Sequence, residues 1–299
     1  VLAKAEYKSV KLLCIASLRD VSELIVKHES LFRTKIKEVV LMGGAKYSES
    51  RQQLIPDETA FNNSCDPVAA RHVYAECQQN GIPTTSVSRI AAYGCPLSVS
   101  FLDGLQDAKH LLAGDIRSAN FKAMQQLWKK VNMPAWMPGR GKLPSRCNRQ
   151  WFIDFFHVNV DDETYTCQDI WKHASLFLYD SLAMLSCVDA YADLHFTPKR
   201  YLVDGTPHRL IGLSEEGVSI SGVANKDDLA NELNCLIHQA LRLSLEGMDR
   251  SPNINDRSED SDDAEASGVE RDEKKTADDV EPNKPATEPT AEPESDTES

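Results

Sequence analysis

The chain has no apolar run near the ~18 residues that a membrane-spanning helix needs, and none of its 8 cysteines are paired at C-x-x-C spacing. The first absence leaves no transmembrane segment within these 299 residues, so no membrane partner is expected. The second removes the commonest zinc-binding signature. Cys14, Cys65, Cys77, Cys95, Cys147, Cys167, Cys187 and Cys235 are scattered along the chain. They read as small thiols kept in a reducing compartment, which implies a cytoplasmic location. A basic surface is missing too. The net charge is −13, and Asp249 to Ser299 alone hold 18 acidic and 6 basic residues. The body before that segment is close to neutral, which gives no reason to expect a nucleic-acid partner. The terminal segment also lacks large apolar residues. It cannot offset its ordering entropy, and 249–299 is expected to be a disordered acidic tail. An initiating methionine is absent as well. Val1 opens a segment, Ala3 to Lys8, that reads as the end of a helix, so a further piece and any targeting signal are expected upstream.

What is present is enough apolar residue, 41% of the chain, to bury one substantial core. The chain is organised around Val39-Val40-Leu41-Met42-Gly43-Gly44. The β-branched apolar run reads as a buried strand, and the two glycines let the backbone turn sharply and approach a ligand. A long polar loop follows. Asp66 then reads as a helix N-cap and Pro67 as the first helical residue, with the helix running to Gln79 and stopping at Asn80-Gly81. Upstream, Val10 to Ile15 reads as a strand and Asp20 to His28 as a helix; Ile36 to Leu41 and Pro83 to Ser88 read as further strands, with Ile90 to Tyr93 continuing the apolar pattern. Strands alternating with helices predict an α/β fold, a mostly parallel open sheet with flanking helices, Rossmann-like. In such sheets ligands sit at the carboxyl ends of the strands.

Beyond Cys95-Pro96-Leu97 the pattern predicts a helical C-terminal half, with helices over Leu102 to Leu112, Ile116 to Val131, Gln168 to Asp193 and Asp227 to Leu245. Met133 to Arg149 reads as a mobile loop whose Gly139-Arg140-Gly141-Lys142 could meet an anion. Tyr201 to Val203 and Val218 to Ile220 read as short strands beside the Asp204-Gly205 turn. Asp161-Asp162-Glu163 reads as a solvated loop, and His157 as a hydrogen-bonded core histidine.

Five segments together resemble one family, the inosine/uridine-preferring nucleoside hydrolases. Leu12-Leu13-Cys14-Ile15-Ala16-Ser17-Leu18-Arg19-Asp20 is similar to the family's strand ending in T-G-x-L-T-N. Val40-Leu41-Met42-Gly43-Gly44-Ala45 matches its M-G-G-A strand end. Ala60-Phe61-Asn62 followed by Asp66-Pro67-Val68-Ala69-Ala70 resembles A-E-F-N…D-P-E-A-A. Pro96-Leu97-Ser98-Val99-Ser100 resembles P-L-D-V-T, and Tyr179-Asp180-Ser181-Leu182-Ala183 resembles H-D-P-L-A.

The resemblance implies a ribonucleoside ligand, cleavage of its N-glycosidic bond, calcium as cofactor, and a fold able to form a homo-oligomer. In the family's chemistry calcium grips the ribose hydroxyls and a water, and an aspartate takes that water's proton. Asp180 then falls at a calcium-ligand position, and Ile15 where a main-chain carbonyl serves as a ligand. Met42, Phe61 and Asn62 fall at substrate-binding positions. Tyr179 stands where some members use a catalytic histidine. The departures are specific. The D-T-D-x-G-x-D-D strand, which supplies the water-activating base, is absent from these residues, so 1–248 reads as a nucleoside hydrolase-like domain lacking its first strand. Ala60 replaces the ribose-binding glutamate, and Leu54 falls where an asparagine is used. Three readings stay open: a purine or pyrimidine nucleosidase inactive as this chain alone, a catalytically dead homologue that binds a ligand, and a structural partner subunit.

Overall fold

The computed structural model describes residues 1–107, 111–141, 143, 145, 147–156, 166–215 and 217–249. After a single 3-10 turn at Leu2–Lys4, the chain forms β1 (Val10–Cys14), α1 (Arg19–Lys35) and β2 (Ile36–Met42). A hairpin follows, β3 (Ala45–Ser48) and β4 (Gln53–Pro56), then α2 (Phe61–Cys65), α3 (Pro67–Gln79), β5 (Thr84–Val87) and α4 (Arg89–Tyr93). Next come β6 (Leu97–Ser98), α5 (Ser100–Asp107), α6 (Leu111–Val131), α7 (Arg149–Phe155), α8 (Cys167–His173) and β7 (Ser175–Leu176). The remainder is α9 (Tyr179–Cys187), α10 (Asp189–His195), β8 (Lys199–Val203), β9 (Thr206–Ile211), β10 (Leu213–Glu215), β11 (Val218–Ile220) and α11 (Lys226–Asp249).

The central sheet has the order β1-β2-β5-β9-β8. Its first four strands are parallel, with Cys14 beside Leu41 and Met42 beside Val87, and β8 runs antiparallel to β9. The expected mostly parallel α/β sheet with flanking helices is therefore the fold. Alternation along the strands sends residues to two cores. Val39, Leu41 and Leu210 pack with α1 and α3 residues such as Phe32, Val73 and Tyr74. Met42, Val87 and Ile211 pack with α4, α9 and the helical remainder. Each fully buried apolar side chain such as Phe32 is worth about 1.5–3 kcal/mol.

Several local expectations change. Ala3 to Lys8 is not a helix beyond its first turn. α1 runs to Lys35 across a kink at His28, where φ is −141° and ψ 45°. The polar loop after Gly44 contains the β3–β4 hairpin, seated on α3 because Gln78 accepts from the Leu54 amide at 2.7 Å and donates to its carbonyl at 3.0 Å. Ile90 to Tyr93 is helical, not extended. Gln168 to Asp193 is three short helices. The strand beside Tyr201 to Val203 is β9, not Val218–Ile220, which instead pairs with β10. β9 can be central despite its polar Thr-Pro-His-Arg start because its polar groups are matched. Arg209 reaches the buried Glu38 at 2.5 Å, and Thr85 donates to the same carboxylate at 2.6 Å. Asp161 to Glu163, His157, Lys142 and 250–299 of the acidic tail lie outside the described residues; Asp249 ends α11. Among the described residues no helix is long and apolar enough to cross a membrane.

Candidate functional site

Parallel strands place all their carboxyl ends on one rim, and the loops leaving that rim define the site. Ile15 follows β1, Met42 ends β2 with Gly43 directly after it, and Arg89 opens the helix after β5. The β2 turn is held tightly. The Gly43 amide donates to the Val87 carbonyl at 2.9 Å. Gly44 has a φ of +89°, in the left-handed region that favours glycine. Buried Asn63 donates to the carbonyls of both Gly44 and Asp57 at 3.0 Å. Its neighbour Asn62 donates to the Met42 carbonyl at 2.9 Å, which fixes the side-chain amide at the rim.

α4 is fixed by the strand beside it. Ser88 accepts from the Ile90 amide at 3.1 Å and donates to the Gly212 carbonyl at 2.7 Å. Gly212 has a φ of +81°, and a Cβ there would lie 2.5 Å from the Ala91 nitrogen. Only a residue without a side chain lets α4 approach so closely.

A cleft of about 780 Å³ opens at this rim. All six residues singled out from the sequence line it: Ile15, Met42, Phe61, Asn62, Tyr179 and Asp180. The structure adds lining residues, of which only Ala60 was singled out in the sequence, as the replacement of a glutamate. Arg89 and Tyr93 come from α4, Trp151 and Phe155 from α7, and Thr59 and Ala60 from the loop before α2. Each of the first two pairs is spaced i,i+4, so both members share one helix face. That spacing was the available signal, hidden because α4 reads as a strand continuation and α7 begins where a loop is expected to end.

The aromatic side chains form a connected wall. The Tyr93 ring meets Phe155 edge-on at 4.9 Å between centroids and Tyr179 at 6.3 Å. Trp151 stacks on Phe155 at 5.1 Å with an interplanar angle of 20°. α7 holds two of these rings because Asn148 caps it, accepting from the Trp151 amide at 2.9 Å.

Four charged or ionisable groups, Arg89, Asp57, Asp180 and Tyr179, set the electrostatics. Arg89 donates to the Thr59 hydroxyl at 3.1 Å and lies 3.7 Å from the Asp57 carboxylate. Burial alone would raise Asp57, but bonds from the Thr59 hydroxyl and amide, with Lys46 and Arg89 nearby, hold it below the usual carboxylate range. Asp180 behaves differently. It lies in the first turn of α9, yet no side chain caps that helix, and Asp180 makes no hydrogen bond or ion pair among the described residues. Asp180 is therefore not the cap of α9. Desolvation in the cleft raises its proton affinity. Burial, and then the neighbouring Tyr93, push the Tyr179 phenol far above its ordinary value, so it stays protonated, a hydroxyl that can both donate and accept.

Two expected ligand groups fare poorly. Arg140 is 3% exposed and turned inward, donating to the main-chain carbonyls of Met133 at 2.9 Å and Cys147 at 2.7 Å, so it is not an anion site. Among the described residues, Asp180 is the one carboxylate lining the cleft, and no group of three His, Cys, Asp or Glu side chains converges. Calcium takes about six to eight oxygen ligands. Asp180 and the Ile15 carbonyl do not by themselves fit that ion.

No protein-family model and no curated protein matches the chain. Solved structures do. The effector protein XOO4466 superposes with a TM-score of 0.66 at 26% identity, over 80% of this chain and 62% of its own. The type III effector protein XopQ, complexed with adenosine diphosphate ribose, gives 0.67 at 26% identity, over 80% of this chain and 63% of its own. This chain spans less than two thirds of the length of either effector. A purine-preferring ribonucleoside hydrolase from Gardnerella vaginalis matches at 12% identity, over 81% of this chain and 64% of its own, with a TM-score of 0.44, too low to carry an argument. The chain is thus a mixed α/β protein with a mostly parallel sheet. It is similar in fold to these two effector proteins.

Proposed function

We propose that the cleft binds a ligand built on a ribonucleoside, with the base against the aromatic wall and the ribose at Met42, Asn62 and Asp180. The observation that carries this reading is the wall itself: Tyr93, Trp151, Phe155 and Tyr179 gathered around one cleft at the sheet rim. A nucleobase is a flat aromatic surface, and stacking a base on an aromatic side chain is worth about 1–3 kcal/mol. A ribose offers hydroxyl donors, and the Asp180 carboxylate, unpartnered among the described residues, is an acceptor suited to them. Two further points support the reading. The six residues at the family-like positions line this cleft together with the aromatic rings. XopQ, 26% identical, was obtained with adenosine diphosphate ribose.

Binding fits the described residues better than hydrolysis does. Cleavage of the N-glycosidic bond needs a base to activate water and help for the leaving base. Tyr179, held protonated, cannot serve as the base that activates water at neutral pH. The lining carboxylate Asp180 would have to serve both the ribose and the water.

The test is calorimetric titration of this chain with adenosine, inosine and uridine. Binding is expected, and Trp151→Ala should weaken it about tenfold, the equivalent of one stacking contact. Failure of all three nucleosides to bind would overturn the reading. Release of free ribose from inosine or uridine would replace it with the nucleosidase reading.

A further inference from the structure

Among the described residues, Arg89 is the one cationic side chain that lines the cleft. The ligand contacts assigned above give it nothing to do: a base needs flat apolar surface, and ribose hydroxyls need acceptors. The Arg89 side chain is 38% exposed, and an anion or a close hydrogen-bonded pair would satisfy its guanidinium most fully. Its protein partners leave that pairing partial. Nη2 makes one hydrogen bond, to the Thr59 hydroxyl at 3.1 Å. The approach of Nη1 to Asp57 is 3.7 Å, beyond hydrogen-bond range, and Asp57 is shared with Lys46 at 3.8 Å. Two cations thus share one carboxylate, and the trio keeps a net positive charge. A guanidinium carries five N–H donors in a rigid fork, so several remain to meet a ligand.

The fork is also aimed in advance. Asp57 is fixed by Thr59, whose hydroxyl and amide both donate to it, at 2.7 and 3.1 Å. The Asp57 amide in turn donates to the Gly44 carbonyl at 3.0 Å. Arg89 is therefore held by the same turn that builds the strand rim. Guanidinium and phosphate match in bidentate geometry, and such charge-assisted bonds are roughly twice as strong as neutral ones. Asp180 would repel a phosphate, so the anion is drawn to Arg89 and the ribose hydroxyls to Asp180.

We infer that Arg89 is a phosphate-binding residue and that the cleft prefers ribonucleotides, a ribonucleoside carrying a phosphate or diphosphate, over the neutral nucleoside. The inference rests on the ribonucleoside reading above and can fail without it. The experiment titrates the wild-type chain and Arg89→Gln with adenosine, adenosine monophosphate and adenosine diphosphate, at low and at high salt. In the wild type the nucleotides should bind at least about tenfold tighter than adenosine, with a margin that shrinks as salt rises. Arg89→Gln should abolish that margin and leave adenosine affinity within about twofold. Equal wild-type affinities for adenosine and its phosphates would overturn the inference while leaving the ribonucleoside reading standing. So would a margin that survives Arg89→Gln. Loss of adenosine binding in Arg89→Gln, with its thermal midpoint unchanged, would also overturn it, since Arg89 would then serve the cleft rather than a phosphate. If the variant does not fold, the wild-type series and its salt dependence decide alone. If nothing binds, both readings fall.

Discussion

Asp180 carries the sharpest residue-level prediction. Its carboxylate is unpaired among the described residues, and desolvation raises its proton affinity. Asp180→Asn keeps the shape and removes the charge. It should cost little stability, because an acidic group in a helix first turn contributes only about 0.3–1 kcal/mol. Adenosine affinity should fall about tenfold, the loss of one hydrogen bond to a charged acceptor. In the wild type, affinity should also decline as pH drops through the raised Asp180 pKa, since the protonated form loses its anionic acceptor. Calorimetry from pH 7 to pH 4 checks both, and an affinity indifferent to the substitution would remove Asp180 from the ribose contacts. At this scale the sequence was readable where a side chain sits in a recognisable motif. Met42, Asn62, Tyr179 and Asp180 each belong to one, and all line the cleft. Arg89 and Trp151 belong to none. Their roles come from the direction a short helix gives them, and local pattern does not encode that direction.

Among the elements, α7 joins stability to binding most directly. Seven residues long, it presents Trp151 and Phe155 to the cleft and depends on Asn148 for its first turn. Asn148→Ala should cost about 1 kcal/mol in urea unfolding and weaken nucleoside binding with it, while Asn148→Asp should preserve both, because aspartate caps equally well. If Asn148→Ala loses stability but binds normally, the rings are positioned by their neighbours rather than by the helix. The contrast with α3 explains what was legible. Asp66 accepts from the Ala69 amide at 3.0 Å and Pro67 holds the first position, as the cap signal predicted. β9 was not legible, because Thr206 to Arg209 reads as polar. Its place in the sheet depends on Glu38 and Thr84, more than a hundred residues earlier in the chain, and no window along the sequence contains that partnership.

For the molecule as a whole, His208 ties stability to pH. It is fully buried on β9, where Nδ1 accepts from the Thr84 amide at 3.2 Å and meets the Thr84 hydroxyl at 2.9 Å. Burial lowers its pKa to about 4. Between that value and the ordinary histidine value near 6.5, the unfolded chain binds a proton that the folded chain refuses. Stability contributed by His208 is therefore complete above about pH 6.5 and is lost progressively as pH falls toward 4. Urea unfolding across that range should show stability declining before the carboxylates titrate. A flat profile would mean that the imidazole charges freely in the folded state. The same sheet explains why Gly212 matters beyond its own backbone. It touches no ligand group in the cleft, yet a single added carbon there would collide with the helix that carries Arg89 and Tyr93. In a library of single substitutions selected for nucleotide capture, position 212 would score with the contact residues, and a map drawn from such scores would place the binding surface on the wrong side of α4.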